Sequence, residues 1–133
     1  MNMKYFSMAS KLAEKSDCKK QKIGCVVVYK KNKVLSSACN INKTHPIQKK
    51  YNNKFLDFDD TPHFMHAEVN ALIPVMKEDD IDWSKVSIYL ARNIKSRPYG
   101  MSRPCPRCMS LLKDLGIHNI CYTTDDGYAE ERI

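Results

Sequence analysis

PCPRCMSLLKDLGIHNICYT, residues 104–123, reads from left to right as a helix followed by a strand. Cys105 to Leu115 is built of helix-forming residues, Gly116 stands where a C-cap glycine belongs, and Ile117–Thr123 is rich in strand formers. Upstream, Val86–Ala91 has the composition of another strand. A strand, a helix and a strand in succession imply a parallel pair joined by a right-handed crossover. That unit places the chain in the α/β class.

Moving toward the N-terminus, Arg92–Arg103 contains Pro98 and Gly100 and reads as a long loop. His66 to Met76 favours a helix, entered near Thr61-Pro62 and stopped near Pro74. Asn40 to His63 is polar and reads as a second long loop, a feature that is usually functional in a compact domain. Ile23–Lys30 and Val34–Cys39 read as strands joined through Lys31-Asn32-Lys33, a hairpin. Tyr5, Met8, Ala9, Leu12 and Ala13 recur at helical spacing within Lys4–Lys15. The natural closure is a three-layer α/β/α sandwich around a central mixed sheet of four strands, or five if the residues after Thr124 add an extended tail.

Composition narrows the class further. The 133 residues fit one domain, 1–133, large enough to bury a core without disulfide staples. With 43% hydrophobic and 28% charged residues the chain is globular rather than disordered. The longest strongly apolar run, Ile23–Tyr29, is far short of the ~20 residues that span a bilayer. Met1–Lys15 lacks the apolar core of a signal peptide, so no membrane association and a cytoplasmic location are expected. In that compartment the six cysteines are reduced thiols, and Cys18, Cys25, Cys39 and Cys121 show no paired spacing. The net charge of +7 would attract phosphate, on a free nucleotide or on nucleic acid, although lysine-rich surfaces are usually only solvated.

The chemistry is carried by His66-Ala67-Glu68 and Pro104-Cys105-Pro106-Arg107-Cys108. Alone, His–x–Glu usually marks a helix surface, and Cys–x–x–Cys is redox-active, structural or incidental. Together they supply three zinc donors, His66, Cys105 and Cys108, and no second Cys–x–x–Cys completes a closed structural site. Three protein ligands with an open fourth position is the pattern of catalytic zinc. Cysteines on the first turn of a helix gain thiolate character from the exposed N–H groups and the helix dipole. Glu68, two residues from His66, is placed to move protons.

His-Ala-Glu followed by Pro-Cys-x-x-Cys resembles the cytidine deaminase superfamily. His66–Leu72 and Pro104–Thr123 are most similar to the deoxycytidylate deaminases, and Lys22–Val28 resembles the family's first strand. The resemblance implies Zn2+ as cofactor, Glu68 as proton carrier, and Asn40 as a hydrogen-bonding contact to the sugar or base. Ala67 is a further substrate-site candidate, Arg92 is one from its place after the third strand, as a phosphate contact, and Tyr122, ending a strand near the expected pocket, is either a base-stacking or a core aromatic. The resemblance also implies a homo-oligomer. The implied reaction is hydrolysis of dCMP to dUMP and ammonia. A polynucleotide deaminase acting on cytosine in single-stranded DNA or adenosine in tRNA would use the same centre, and a non-catalytic, zinc-stabilised binding module is the third expectation. The chain departs from the family in the few residues after Thr124 and in the basic loop Ile94–Arg103.

Other residues carry weaker signals. His45 and His63 lie in the first long loop, and Asn93 adjoins Arg92. Arg97 and Arg103 read as loop surface, Trp83 as a cover over the core, and Asp125, Asp126 and Glu130 as an acidic solvated tail.

Overall fold

The computed structural model describes residues 1–19, 21–54, 65–94 and 97–133, without the side chains of 53, 54, 94 and 97–99. Helix α1 (Met3–Ala13) is capped by the Asn2 side chain, which accepts the Lys4 N–H. Strands β1 (Lys22–Tyr29) and β2 (Lys33–Cys39) form the expected antiparallel hairpin. Lys30 and Lys31 hold positive φ (53° and 71°) at its turn.

Strand β3 (Val86–Ile94) pairs antiparallel with β1 and parallel with β5 (Asn119–Thr124). The parallel pair is connected through helix α4 (Pro106–Leu115), as the sequence implies. Helix α3 (Ala67–Met76) precedes β3, with a short 3-10 turn at Trp83–Lys85 between them. The sheet order is β2-β1-β3-β5-β6, where β6 is Gly127–Arg132. A short strand β4 (Arg97–Gly100) hangs antiparallel on β3 outside that path.

Alternation along the strands builds the layers. On β1, Cys25 and Val27 face one core while Val26 and Val28 face the other; on β3, Ile88 and Leu90 oppose Tyr89 and Ala91. The larger core takes Val69, Leu72 and Val75 of α3 and Leu111 and Leu112 of α4. The smaller core takes Tyr5, Phe6 and Ala9 of α1, with Phe6 edge-on to Tyr89. The result is the expected α/β/α sandwich. Gly24 lets α1 approach β1 closely, since a Cβ there would sit 1.9 Å from the Ala9 carbonyl oxygen. Gly116, at φ 97°, ends α4 and sends its N–H back to Leu112 and Lys113.

Two sequence expectations are corrected. The polar stretch after Asn40 is not all loop: helix α2 (Pro46–Lys54) lies within it, its first turn held by the His45 Nδ1, which accepts the Ile47 N–H at 3.1 Å. The basic stretch after Arg92 is not all loop either, because β3 continues to Ile94 and β4 returns along it. The residues after Thr124 form β6, the fifth strand of the two alternatives left open, held on β5 from Thr124↔Gly127 to Asn119↔Arg132. Helix α3 ends at Met76, as expected, and passes Pro74 because a proline in the last turn removes only one helical hydrogen bond. The expected helix entry at Thr61-Pro62, and His63, lie outside the described residues.

Candidate active site

Because β1 runs against both β2 and β3, the ends of β2, β3 and β5 and the start of β1 share one edge of the sheet. Open α/β folds place their sites at that edge. His66 is the N-cap residue of α3 and Cys105 the N-cap residue of α4, and neither side chain caps its own helix. The two side chains turn to each other instead. Cys105 Sγ lies 3.7 Å and Cys108 Sγ 3.3 Å from His66 Nδ1, and all three donor atoms fall within 4.8 Å of one another. Two donors sharing one tetrahedral zinc stand ~3.6 Å apart, given Zn–S and Zn–N bonds of ~2.3 and ~2.0 Å. The two sulfur–nitrogen distances bracket that value, so the donor set fits zinc.

The electrostatics of the trio also favour a cation. The Cys108 thiol donates to Cys105, and this with His66 outweighs burial and holds Cys105 down at about 3, a thiolate. The same hydrogen bond, together with burial, pushes Cys108 well above the ordinary thiol value. For His66, burial opposes the protonated form, but the bond to Cys105 and the Glu68 charge prevail and raise its pKa. A bound metal replaces that shared proton and takes both sulfurs as thiolates.

Glu68 sits in the first turn of α3 and is 4% exposed. Burial raises its pKa, although the His66 charge pulls the other way. A cavity of about 260 Å³ opens beside it, walled by His66, Ala67, Glu68, Cys105, Asn40 and Arg92 among others. Asn40 is buried, and its amide ties the sheet edge by accepting the Ile23 N–H (3.0 Å) and donating to the Gln21 carbonyl (2.8 Å). That leaves one N–H and one lone pair of the amide beyond those two bonds.

Arg92 and Asn93 go to opposite faces, as strand neighbours must. Asn93 exchanges hydrogen bonds with Ser10 of α1 at 2.8 Å. Arg92 lines the cavity, and its buried Nε has no hydrogen-bond partner among the described residues. Tyr122 is not on the cavity wall among the described residues; it packs in the larger core and donates its hydroxyl to Glu131 at 2.9 Å. The expectation of a base-stacking Tyr122 is therefore corrected: β5 alternation turns it into the core.

Arg103 is exposed on its loop, as expected, and also lies on the cavity rim, where it makes two 2.9 Å bonds to Glu131 of β6. That guanidinium, with Tyr122, pulls the Glu131 carboxyl down to about 2. Ser102, also unremarked in the sequence, exchanges two 2.9 Å bonds with the Thr123 backbone. Thr123 in turn accepts the Arg92 N–H at 3.1 Å, so the segment leading to Cys105 is sewn to the ends of β3 and β5. His45 serves as a helix cap, and Trp83 is half-buried against the core. All six cysteines are free thiols. Among the described residues no helix is long and apolar enough to cross a membrane.

Residues 1–124 match the family described as the cytidine and deoxycytidylate deaminase zinc-binding region. No curated protein is significantly similar to the chain in sequence. Among solved structures, the apo dCMP deaminase of cyanophage S-TIM5 is 22% identical with a TM-score of 0.64, over 90% of this chain and 79% of that one. The same cyanophage enzyme in complex with dCMP and dUMP is 21% identical, TM-score 0.63, over 90% and 78%. The cytidine deaminase of Burkholderia pseudomallei is 16% identical, TM-score 0.66, over 99% and 92%. At these identities the likeness is one of fold.

Proposed function

The chain belongs to the cytidine and deoxycytidylate deaminase family of zinc-dependent enzymes, and from that premise we propose that it converts dCMP to dUMP and ammonia as one catalytic domain. The observation that carries the choice of a phosphorylated substrate is the Arg92 Nε, which is buried, has no hydrogen-bond partner among the described residues, and belongs to a residue lining the cavity that holds Glu68 and His66. A buried guanidinium N–H left unpaired is costly, and an anionic group on the ligand removes that cost. The modest cavity suits a pyrimidine base and its sugar. The cyanophage enzyme of the same fold, solved with dCMP and dUMP, supports the choice.

In this reading His66, Cys105 and Cys108 hold the metal. Zinc supplies Lewis acidity, which makes water a nucleophile near neutral pH. Glu68 accepts one proton from the attacking water and passes it to the ring nitrogen next to C4 of cytosine. As the new C–O bond closes to a carbonyl, the C4–N bond breaks, and Glu68 carries the second water proton to the departing amine. Burial suits Glu68 to this task, because it raises the carboxyl pKa and so makes the group a better proton acceptor that can still return the proton. Asn40 presents its remaining amide hydrogen to the sugar or base, Ala67 packs against the ring, and Arg92 pairs with the 5′-phosphate.

The test is ammonia release by zinc-loaded protein from cytosine, deoxycytidine, dCMP, dCTP, adenosine, single-stranded DNA and tRNA. Turnover of dCMP above deoxycytidine is expected. Turnover of a polymer alone would replace the proposal by polynucleotide deamination, for which the net charge of +7 is the supporting feature.

A further inference from the structure

We infer that α2 braces the metal centre and that Gln48 is a positioning residue for His66. The inference rests on His66 being a metal ligand, but not on the identity of the substrate.

Gln48 is completely buried in a helix whose sequence is otherwise strongly polar. Its Oε1 accepts the backbone N–H of His66 at 2.9 Å, and its Nε2 donates to Asn52 Oδ1, one turn further on, at 2.9 Å. The His66 N–H can only donate, which fixes the Gln48 oxygen toward it, and Asn52 Oδ1 then holds the amide from its nitrogen end. His66 is the N-cap of α3, where the backbone N–H lies outside the helical ladder and the Gln48 carbonyl satisfies it. The peptide that carries the imidazole is thereby fixed by a side chain 18 residues upstream.

The same helix holds the other half of the centre. Tyr51 donates its hydroxyl to Asp114 of α4 at 2.7 Å, and α4 carries Cys105 and Cys108 at its N-terminus. Thus α2 touches both helices whose first turns supply the donors. An apolar residue would fill the Gln48 site as well if only helix packing were at stake. The amide acceptor is what orients a ligand, and partners of metal ligands typically change metal affinity by ~10–100-fold.

The experiment compares zinc affinity, by competition with a chromophoric chelator, and the cobalt-substituted visible spectrum in the full chain. Gln48→Met keeps the volume and removes the acceptor; Gln48→Glu keeps the acceptor. Q48M is expected to bind zinc ~10–100-fold more weakly and to shift the cobalt d–d bands, with Q48E recovering most of both. A folded Q48M with wild-type zinc affinity and an unchanged cobalt spectrum would overturn the inference, even if it melted lower. Should Q48M not fold, Asn52→Ala, which removes the anchor of the Gln48 amide nitrogen and loosens its hold on His66, carries the same test: weakened zinc supports the brace and unchanged zinc overturns it. Failure of the wild type itself to bind zinc would instead strike at the metal site.

Discussion

Arg92 and Arg103 stand on the same cavity, yet their circumstances differ. Arg103 is already matched by Glu131, whereas the Arg92 Nε has no partner among the described residues. An incoming anion therefore gives the Arg92 Nε–H a hydrogen bond that it otherwise lacks. A charge-assisted hydrogen bond contributes ~1.5–3 kcal/mol. Arg92→Met should accordingly lower kcat/KM for dCMP by ~10–150-fold and leave deoxycytidine nearly unchanged; steady-state kinetics on the two substrates check this. The three candidate zinc donors, which the structure brings within 4.8 Å of one another, were legible in the sequence because zinc restricts its donors to few residue types at short spacing. Gln48 and Arg103 were not, since an amide or an arginine in a polar stretch usually ends in solvent. The signal for Gln48 was present but weak: Ile47, Gln48 and Tyr51 repeat at helical spacing within an otherwise polar segment. Tyr122 was assigned by proximity to the expected pocket, and strand parity turned it into the core.

At the scale of elements, the strands and helices with a clear apolar period were readable, and those without one were not. α2 and β6 are polar segments whose structure comes from partners far along the chain, such as Asp114 for Tyr51 and Arg103 for Glu131. The contact of α1 with β1 is stricter than its composition suggests. Gly24→Ala places a methyl 1.9 Å from the Ala9 carbonyl oxygen, so α1 must lift from the sheet. Urea unfolding should show a loss of ~1–3 kcal/mol or more. The hold of β6 on the cavity rim is pH-dependent. Glu131 is depressed to about 2 when folded, so its contribution is complete above the unfolded carboxyl value of ~4.3 and fades as pH falls toward that lower value. Both partners are substantially exposed, which limits the pair to ~1 kcal/mol or less. Glu131→Gln should thus be less stable than wild type at pH 7, with the gap narrowing below about pH 4 and closing as the pH falls to about 2; a gap of equal size at pH 7 and at that low pH would contradict the assignment.

Across the whole molecule, the metal centre joins two helix N-termini that are separated by β3 and β4 along the chain. His66 comes before those strands and the cysteines after them, so a bound ion ties together both ends of the sandwich's larger layer. Zinc that binds only the folded form adds ~2.7 kcal/mol of stability at ~100-fold excess over its Kd. Chelation should lower the thermal midpoint, and stoichiometric zinc should restore it. Because Glu68 is proposed to handle protons and not the metal, replacing it should separate these properties. The decisive measurement is ammonia release from dCMP by wild type and Glu68→Gln, with zinc content determined on the same samples. The account predicts about one zinc per chain in both and a loss of turnover of ~10²–10⁴-fold or more in the variant. A variant that keeps zinc and still deaminates dCMP at the wild-type rate would contradict it.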